Sequence, residues 1–155
     1  MNDTIIIRKA TKDDLPALLR FEQGVVETER PFDPTLKSHP NFYYDLKQMI
    51  KDPRVHLVVA EYQHQPIGSG YAYIQKAKHY LDHEYFAYLG FMWVEPEWRG
   101  KKVNRLIIDE LTRWSLSKGI AELRLEVYVE NLAAIKAYEK AGFKQLMVQM
   151  RRGME

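Results

Sequence analysis

Apolar residues recur along this chain with two different periods, and the switches between them predict a mixed order of strands and helices. Continuous or alternating apolar runs predict six strands, over Ile5–Lys9, Val55–Tyr62, Ile67–Gln75, Tyr85–Val94, Ala121–Val129 and Phe143–Met150. Spacings of three and four residues predict four helices: one beginning near Thr11 or Asp13, one over Asn41–Lys51, one after a basic turn, and one over Leu132–Ala141. The order β-α-α-β-β-β-α-β-α-β predicts a mixed α/β sheet with helices on both faces.

The stretch Tyr88–Asn104 joins the most aromatic predicted strand to the third helix. Pro96 ends the strand, because proline offers no donor to a sheet ladder. The helix carries its apolar residues on one stripe, spaced four, four and three apart: Val103, Ile107, Leu111 and Trp114. Four basic residues crowd its beginning, where unpaired N–H groups already give a positive partial charge; they are Arg99, Lys101, Lys102 and Arg105.

This basic helix start has two interpretations. Backbone N–H groups and cationic side chains together form a site for a pyrophosphate or another polyanion. A solvated basic turn, screened by salt, explains the same residues, because short basic loops are common.

The composition limits the class of protein. The 155 residues, 46% of them hydrophobic, suit a single domain over 1–155 with one core. The net charge of +2, from 23 basic and 21 acidic residues, is too balanced to indicate a nucleic-acid-binding surface. The absence of cysteine excludes disulfides and thiolate nucleophiles. Because no apolar run is long enough for a membrane span and the N-terminus lacks the pattern of a signal peptide, we expect a soluble cytoplasmic protein.

Two stretches resemble a known family. They are Val94–Asn104 (VEPEWRGKKVN) and Leu125–Phe143 (LEVYVENLAAIKAYEKAGF). The second matches an Asn-x-x-Ala-x-x-x-Tyr-x-x-x-Gly-Phe pattern at Asn131, Ala134, Tyr138, Gly142 and Phe143. Together they are similar to the GNAT superfamily of N-acetyltransferases, and the order of elements fits nearly the whole chain. The resemblance implies a mostly antiparallel central sheet flanked by helices.

The resemblance also implies acetyl-CoA as co-substrate, in a cleft between the Tyr85–Val94 and Ala121–Val129 strands. The pantetheine arm and the thioester carbonyl would meet the backbone of Met92, Trp93 and Val94. Asn131 would cap the last helix and also contact the cofactor arm. The pyrophosphate would lie on the turn and its N–H groups, at Arg99, Gly100, Lys101, Lys102, Val103 and Asn104.

The basic turn departs from the family pattern. Lys102 and Asn104 stand where the family usually has glycine, which lets backbone N–H groups approach phosphates without a Cβ in the way. Lys102 could replace that approach with a charge-assisted contact, or the binding of the cofactor could be weaker or altered.

For the chemistry, the resemblance implies direct attack of an amine on the thioester, without a covalent enzyme intermediate. Tyr138 is the candidate general acid for the departing thiolate, and its alternative role is packing. Glu126 is the candidate general base, with a structural carboxylate as the alternative. Glu84 or an ordered water are the other candidates for the base.

Several other groups of residues have competing interpretations. His79 and His83 have a metal-like spacing, but a solvated loop is the favoured interpretation and no metal site is predicted. The run Phe42–Tyr44 is interpreted as core and rim of the second helix, with an acceptor-site wall as the alternative. The acidic residues between the first two helices could attract a cationic amine, although ordinary surface charge is the favoured interpretation; they are Glu22, Glu27, Glu29 and Asp33.

The sequence therefore predicts an acetyl-CoA-dependent N-acetyltransferase that acts on a primary amine of a small molecule or a protein, as a possible homodimer. A non-catalytic acyl-CoA-binding or sensing domain is the first alternative, because the glycine positions are altered. A nucleic-acid-binding domain that uses the basic turn is the second, and the balanced net charge argues against it.

Overall fold

Five strands form one sheet in the order β1-β2-β3-β4-β5 in the computed structural model, which describes residues 4–154. The three pairs from β1 to β4 are antiparallel, and β5 is parallel to β4, so the predicted mixed, mostly antiparallel sheet is confirmed. The expectation that the N-terminus lacks a signal peptide begins with residues 1–3, which lie outside the described range. The strands are Ile6–Lys9 (β1), Val55–Tyr62 (β2), Gln65–Lys76 (β3), Tyr85–Val94 (β4) and Leu123–Arg124 (β5).

Four helices accompany the sheet. They are Leu15–Glu29 (α1), Leu46–Lys51 (α2), Val103–Ser117 (α3) and Leu132–Lys140 (α4). Within residues 4–154, no helix combines the length and the apolar character that crossing a bilayer requires. α1 and α2 pack on one face of the sheet and α3 on the other, which agrees with the predicted helices on both faces.

Alternation along β2 explains why both faces of the sheet are covered. Val58 and Ala60 point into the core that α3 closes, and Leu57 and Val59 point into the core beneath α1 and α2. All four residues are almost fully buried, and burying a valine or leucine side chain is worth about 1.5–3 kcal/mol. The sheet is therefore a rigid platform, and its open side lies beyond β4.

β4 is irregular where the candidate site begins. Its register with β3 shifts between Ser69 and Tyr71, and Phe91 on β4 has a φ of +54°. β5 pairs with β4 only through Ala87–Leu123 and Tyr88–Arg124. Beyond these pairs residues 89–94 and residues 125–129 no longer pair, and we call the gap between these two segments the cleft.

Three predicted elements differ from those observed. The Ala121–Val129 strand shortens to β5, because its second half has left β4. The second helix begins at Leu46 rather than Asn41, where Asp45 caps it by accepting a hydrogen bond from the Gln48 N–H. The predicted last strand, Phe143–Met150, is not formed, because no neighbouring strand offers it a ladder within the described chain.

Candidate active site

The separation of β4 from β5 leaves backbone groups of β4 facing the cleft. The Glu95 N–H donates to the Ile67 carbonyl at 2.8 Å, so the polar groups of Val94 point away from β3. The Val94 carbonyl accepts a hydrogen bond from Arg99 Nε at 2.9 Å. This carbonyl is one of the groups predicted to meet the pantetheine arm, and its second lone pair can accept a further hydrogen bond.

The side chains of the three predicted β4 residues point to both faces of the sheet. Met92 and Val94 pack against the α3-side core, and Trp93 packs on the α1 side. A Cβ built on Gly24 of α1 would lie 2.5 Å from the Trp93 ring, so only glycine fits there. Trp93 Nε1 donates to Glu95 at 2.9 Å. The Trp93 side chain therefore joins α1 to β4. A ligand in the cleft could contact only the backbone of Trp93.

The turn before α3 has the conformation of a glycine-rich loop, although one of its left-handed positions is a lysine. Gly100 has a φ of +77° and Lys102 a φ of +68°. A left-handed non-glycine residue costs roughly 1–2 kcal/mol. Lys102 is the residue before α3 and gives no side-chain cap, so the first N–H groups of the helix, at Val103, Asn104 and Arg105, face out of the helix end. These N–H groups fit an anionic phosphate.

The four cations of this region are not equivalent. The Arg99 guanidinium lies 4.8 Å from the centre of the Trp93 ring and holds the Val94 carbonyl. Arg105 pairs with Asp109 at 3.2 Å, and the Lys101 ammonium lies 5.3 Å from the Trp98 ring. Lys102 is exposed and has no such contact. The crowding of positive charge expected from the sequence is therefore partly relieved by the protein, and Lys102 is the cation left for a ligand.

Val103 and Asn104, both predicted to contact the pyrophosphate, differ in the exposure of their side chains. The Val103 side chain is almost fully buried in the α3-side core, so only its N–H is open to a ligand. Asn104 is partly exposed on the first turn of α3. The groups of the turn that are open to a phosphate are therefore the N–H groups at the start of α3 and the side chain of Lys102.

α4 carries the predicted acid and begins with the predicted cap. Asn131 Oδ1 accepts a hydrogen bond from the Ala134 N–H at 3.3 Å, which confirms the capping prediction. The Tyr138 ring lies edge-on to Phe143, 5.9 Å away between centres. Burial, and after it the nearby Glu29 carboxylate, raise the pKa of Tyr138 to about 12. Tyr138 therefore keeps its proton at neutral pH, as a general acid must.

Glu126 lies on the segment that has separated from β4, and it faces β4 across the cleft. The Tyr88 hydroxyl donates to Glu126 Oε1 at 3.1 Å, and Glu126 is exposed. Burial, and then the charge of Glu126, raise the pKa of both Tyr71 and Tyr88, with Tyr71 reaching about 12. Glu84 precedes the first residue of β4, which puts it roughly 20 Å from the bulge at Phe91. Glu84 therefore lies at the other end of β4 from the bulge.

An aromatic wall, which we define as Tyr43, Tyr44, Tyr71, Tyr88 and Phe91, closes the cleft on the α1 side. Tyr44 contacts Tyr43 and Tyr71 edge-on at 5.7 Å and lies 4.9 Å from Phe91, and Tyr71 lies 6.4 Å from Tyr88. Tyr43 and Tyr44 belong to the loop before α2, not to the helix, and Phe42 is 62% exposed. The wall alternative weighed for Phe42–Tyr44 thus fits Tyr43 and Tyr44 but not Phe42. Tyr71 and Tyr88 were missed, although two tyrosines on adjacent predicted strands were a usable signal.

The four acidic residues that the sequence analysis interpreted as surface charge have four different environments. Glu22 is fully buried and accepts hydrogen bonds from the N–H groups of Tyr43 and Tyr44, both at 2.8 Å. Glu27 is exposed and pairs with Arg30 at 2.8 Å. The surface-charge interpretation is therefore wrong for Glu22, whose role is to hold the aromatic wall, and it fits Glu27.

Asp33 and Glu29 form the other half of this acidic group. Asp33 is buried, accepts hydrogen bonds from Thr35 and Tyr128, and pairs with Arg151 at 3.0 Å. The Thr35 hydroxyl and the Arg151 guanidinium hold the pKa of Asp33 well below its usual range. Glu29 is partly buried, and desolvation raises its pKa. Neither residue is ordinary surface charge.

The side chains of the histidine loop contact neighbouring residues. His83 Nε2 lies 3.1 Å from Glu122, and the His79 ring contacts Tyr80 edge-on. Within residues 4–154, no three histidine or acidic side chains converge as metal ligands do.

Comparison with known proteins identifies the family of this chain. The sequence model of the Acetyltransferase (GNAT) family matches residues 22–143. The chain belongs to this family. The match includes the bulged β4, the basic turn and Tyr138, and it confirms the predicted class of enzyme, an acetyltransferase that uses acetyl-CoA.

Relatives and solved structures agree with this assignment. The chain is 26% identical over 148 residues to a thialysine N-epsilon-acetyltransferase of Sus scrofa, covering 92% of this chain and 86% of that protein. A predicted acetyltransferase of Clostridium acetobutylicum, crystallised with acetyl-CoA, has a TM-score of 0.75 at 17% identity and covers 97% and 96% of the two chains. An aminoglycoside N-acetyltransferase crystallised with CoA has a TM-score of 0.73 at 20% identity and covers 96% and 99%. Both likenesses confirm the fold of this GNAT chain.

Proposed function

We propose that this GNAT protein transfers the acetyl group of acetyl-CoA to a primary amine by direct attack of the amine on the thioester. One observation carries the proposal: the cleft between β4 and residues 125–129 joins three features that the reaction needs. Polar backbone groups of β4 line one side, the open N–H groups of α3 lie at its end, and a protonated tyrosine stands on α4. The relatives named as thialysine and aminoglycoside acetyltransferases support an amine as the acceptor.

The basic turn is the part of the site that fits the pyrophosphate of the donor. The open N–H groups of Val103 and Asn104 and the exposed ammonium of Lys102 provide donors and positive charge. Gly100 has no heavy atom near a built Cβ, so the turn is open on that side. Met92 and Val94 offer the thioester their backbone groups, and an N–H donor near its carbonyl stabilises the negative charge that develops on oxygen.

The chemical steps divide between two side chains. The amine nitrogen must lose a proton to attack, and Glu126 accepts that proton directly or through water. As the new C–N bond forms and the C–S bond breaks, Tyr138 gives its proton to the departing sulfur. The raised pKa of Tyr138 favours the protonated form in the resting enzyme, and bulk water returns the proton afterwards.

Turnover of an amine panel tests the proposal. Released CoA carries a free thiol, and because the protein has no cysteine, a thiol reagent reports the product without a protein background. Mass spectrometry should find the acceptor heavier by one acetyl group. Tight binding of acetyl-CoA without turnover of any primary amine would favour the alternative of a non-catalytic acyl-CoA-binding domain.

We also propose that the protein is a homodimer, on the basis of its C-terminal segment, residues 144–154. Four of its large apolar side chains are 72–88% exposed: Leu146, Met147, Val148 and Met150. Leu146, Val148 and Met150 alternate along the chain, as residues on one face of a strand do. A second copy provides the ladder and the apolar cover that the single chain lacks. Sedimentation velocity should show a dimer for the full chain and a monomer for Leu146→Asp. A monomeric full chain at all concentrations would refute the dimer. The cytoplasmic location stays a prediction.

A further inference from the structure

The phenol of Tyr71 crosses from β3 onto β4. Tyr71 is the register partner of Gly90 in the antiparallel pair of β3 and β4. A Cβ built on Gly90 would lie 2.5 Å from the Tyr71 hydroxyl oxygen and 2.6 Å from the ring carbon that carries it, which is closer than real Cβ atoms come. The hydroxyl therefore occupies the space that a side chain at position 90 would fill, on the stretch of β4 that lines the cleft.

Gly90 is needed for this approach and not for its backbone conformation. Its φ lies outside the left-handed region, whereas the next residue, Phe91, has a φ of +54°. An ordinary residue would suit the φ of Gly90 but would exclude the phenol. Gly90 stands two residues before Met92, whose backbone the proposed function places against the thioester. The Tyr71 hydroxyl is thus carried to the neighbourhood of the reacting atoms.

The Tyr71 hydroxyl has no hydrogen-bond partner in residues 4–154, unlike the hydroxyls of Tyr88 and Tyr128. Tyr88 donates to Glu126 at 3.1 Å, and Tyr128 donates to Asp33 at 3.0 Å. Tyr71 is partly buried, and its raised pKa of about 12 keeps the hydroxyl protonated at neutral pH. A partly shielded phenol that the protein does not use offers a ligand both a donor and an acceptor.

Tyr88 joins Tyr71 to the proposed base. The centre of its ring lies 6.4 Å from that of Tyr71, and its hydroxyl donates to Glu126. On the other side, the Tyr44 ring meets Tyr71 edge-on at 5.7 Å and holds the phenol in the aromatic wall. A nitrogen within reach of both Glu126 and the thioester is therefore bordered by the Tyr71 hydroxyl.

The two hydrogens of the attacking nitrogen have different fates. A neutral primary amine turns its lone pair to the carbonyl carbon of the thioester, and its two N–H bonds point away from that carbon. As the C–N bond forms and the C–S bond breaks, one hydrogen leaves as a proton to the solvent and the other stays on the amide nitrogen. The N–H that stays needs an acceptor that does not take its proton, and the oxygen of a protonated tyrosine is such an acceptor.

We propose that the Tyr71 hydroxyl oxygen accepts a hydrogen bond from the N–H that the acceptor nitrogen keeps, and that this contact selects primary amines over N-alkylated amines. The inference rests on the function proposed above. A secondary amine carries a carbon atom in place of that hydrogen, so the hydrogen bond is lost and the alkyl group meets the phenol oxygen. The same contact directs the lone pair of a primary amine towards the thioester.

Kinetics with matched substrates test the assignment. The primary amine with the highest kcat/KM in a panel that includes butylamine and putrescine is compared with the derivative that carries one methyl group on each amino nitrogen, such as N-methylbutylamine for butylamine. The wild type should prefer the primary amine by more than about tenfold. A neutral hydrogen bond is worth about threefold to tenfold, so Tyr71→Phe should lower kcat/KM for the primary amine by that factor. The value for the N-methyl amine should stay within about twofold.

Two controls separate recognition from packing. Tyr73→Phe removes a phenol oxygen two residues along β3, from a ring that lies against the Arg54 guanidinium at 5.5 Å, and it should leave both amines unchanged. Tyr71→Phe keeps its ring and loses no hydrogen bond within residues 4–154, so it should unfold within about 2 °C of the wild type. The Kd of acetyl-CoA should be the same in all three proteins.

The possible results are distinct. A loss confined to the primary amine supports the assignment. Equal losses for both amines, or no loss for either, refute it, as does a wild type that acetylates the N-methyl amine as well as the primary amine. If the N-methyl amine reacts too slowly to follow, its inhibition constant is compared instead, and a change as large as that for the primary amine refutes the assignment. A wild type that turns over no amine at all refutes the proposed function and this inference together.

Discussion

Removal of one oxygen atom, by Tyr138→Phe, tests the proposed mechanism most directly. The hydroxyl makes no hydrogen bond to another residue of the described chain, and the ring keeps its edge-on contact with Phe143 at 5.9 Å. The fold should therefore lose less than about 0.5 kcal/mol of stability, as at a site without a structural role. Any large loss of activity then comes from the chemistry.

The size of that loss follows from the state of the phenol. Burial raises the pKa of Tyr138 to about 12, so nearly every molecule carries the proton at pH 8. A positioned general acid contributes about 10²- to 10⁴-fold, or about 3–5 kcal/mol of barrier, and Tyr138→Phe should lower kcat by a factor in that range. Because the neutral phenol is the active form, kcat of the wild type should not fall at high pH until the pH approaches the raised pKa.

The assay is thiol release at saturating amine, with the Kd of acetyl-CoA measured by calorimetry. We expect kcat to fall and the Kd to stay within about threefold, because the hydroxyl acts on the leaving sulfur and not on the bound donor. Tyr80→Phe, at a 70% exposed loop residue, is the matched control and should behave as the wild type. A Tyr138→Phe enzyme with nearly full kcat would show that the ring only packs.

Substitutions at three further positions test the site and its supports. Lys102→Gln should weaken binding of acetyl-CoA by about threefold to tenfold in calorimetry, whereas Lys102→Gly should weaken it similarly but raise the unfolding temperature, since φ of +68° suits glycine. Gly24→Ala should destabilise the fold by about 1–3 kcal/mol in urea, because its Cβ would lie 2.5 Å from the Trp93 ring; Gly153→Ala meets nothing and serves as control. Asp33→Asn should lower the unfolding temperature at pH 7, and its difference from the wild type should shrink as the pH falls below 4. The reason is that a carboxylate with a lowered pKa stabilises the fold above its unfolded value and loses that effect on protonation; a constant difference would contradict it.

Periodicity was enough to predict most of the fold. The apolar stripe of α3 was predicted as observed, and Val103, Ile107 and Leu111 are all nearly fully buried. The last predicted strand failed for a physical reason: alternation in Leu146, Val148 and Met150 specifies a strand, but a strand exists only where another chain segment pairs with it. A single sequence does not say which segment that is.

The site was less predictable than the fold, because it depends on residues that are distant in sequence. Tyr44, Tyr88 and Glu126 come from the loop before α2, from β4 and from the segment after β5, and sequence patterns describe each of them only locally. The Asn131–Tyr138 spacing was found because it lies within one helix. The pairing of Asp33 with Arg151, 118 residues further along the chain, is decided only by the folded chain.

Helix α4 is expected to respond both to the proposed cofactor and to the proposed dimer. Its apolar residues have the spacing of an amphipathic helix, yet none of its residues is buried. Leu132, its first residue, is 65% exposed, and Val129, just before it, is 71% exposed. A helix of nine residues is marginal alone and depends on packing for its stability. Tyr138 of α4 is the proposed acid and residues 144–154 follow this helix, so the proposed donor and the proposed second copy would both contact α4. Acetyl-CoA should therefore raise the unfolding temperature and strengthen the dimer together, because two ligands that order one element favour each other's binding.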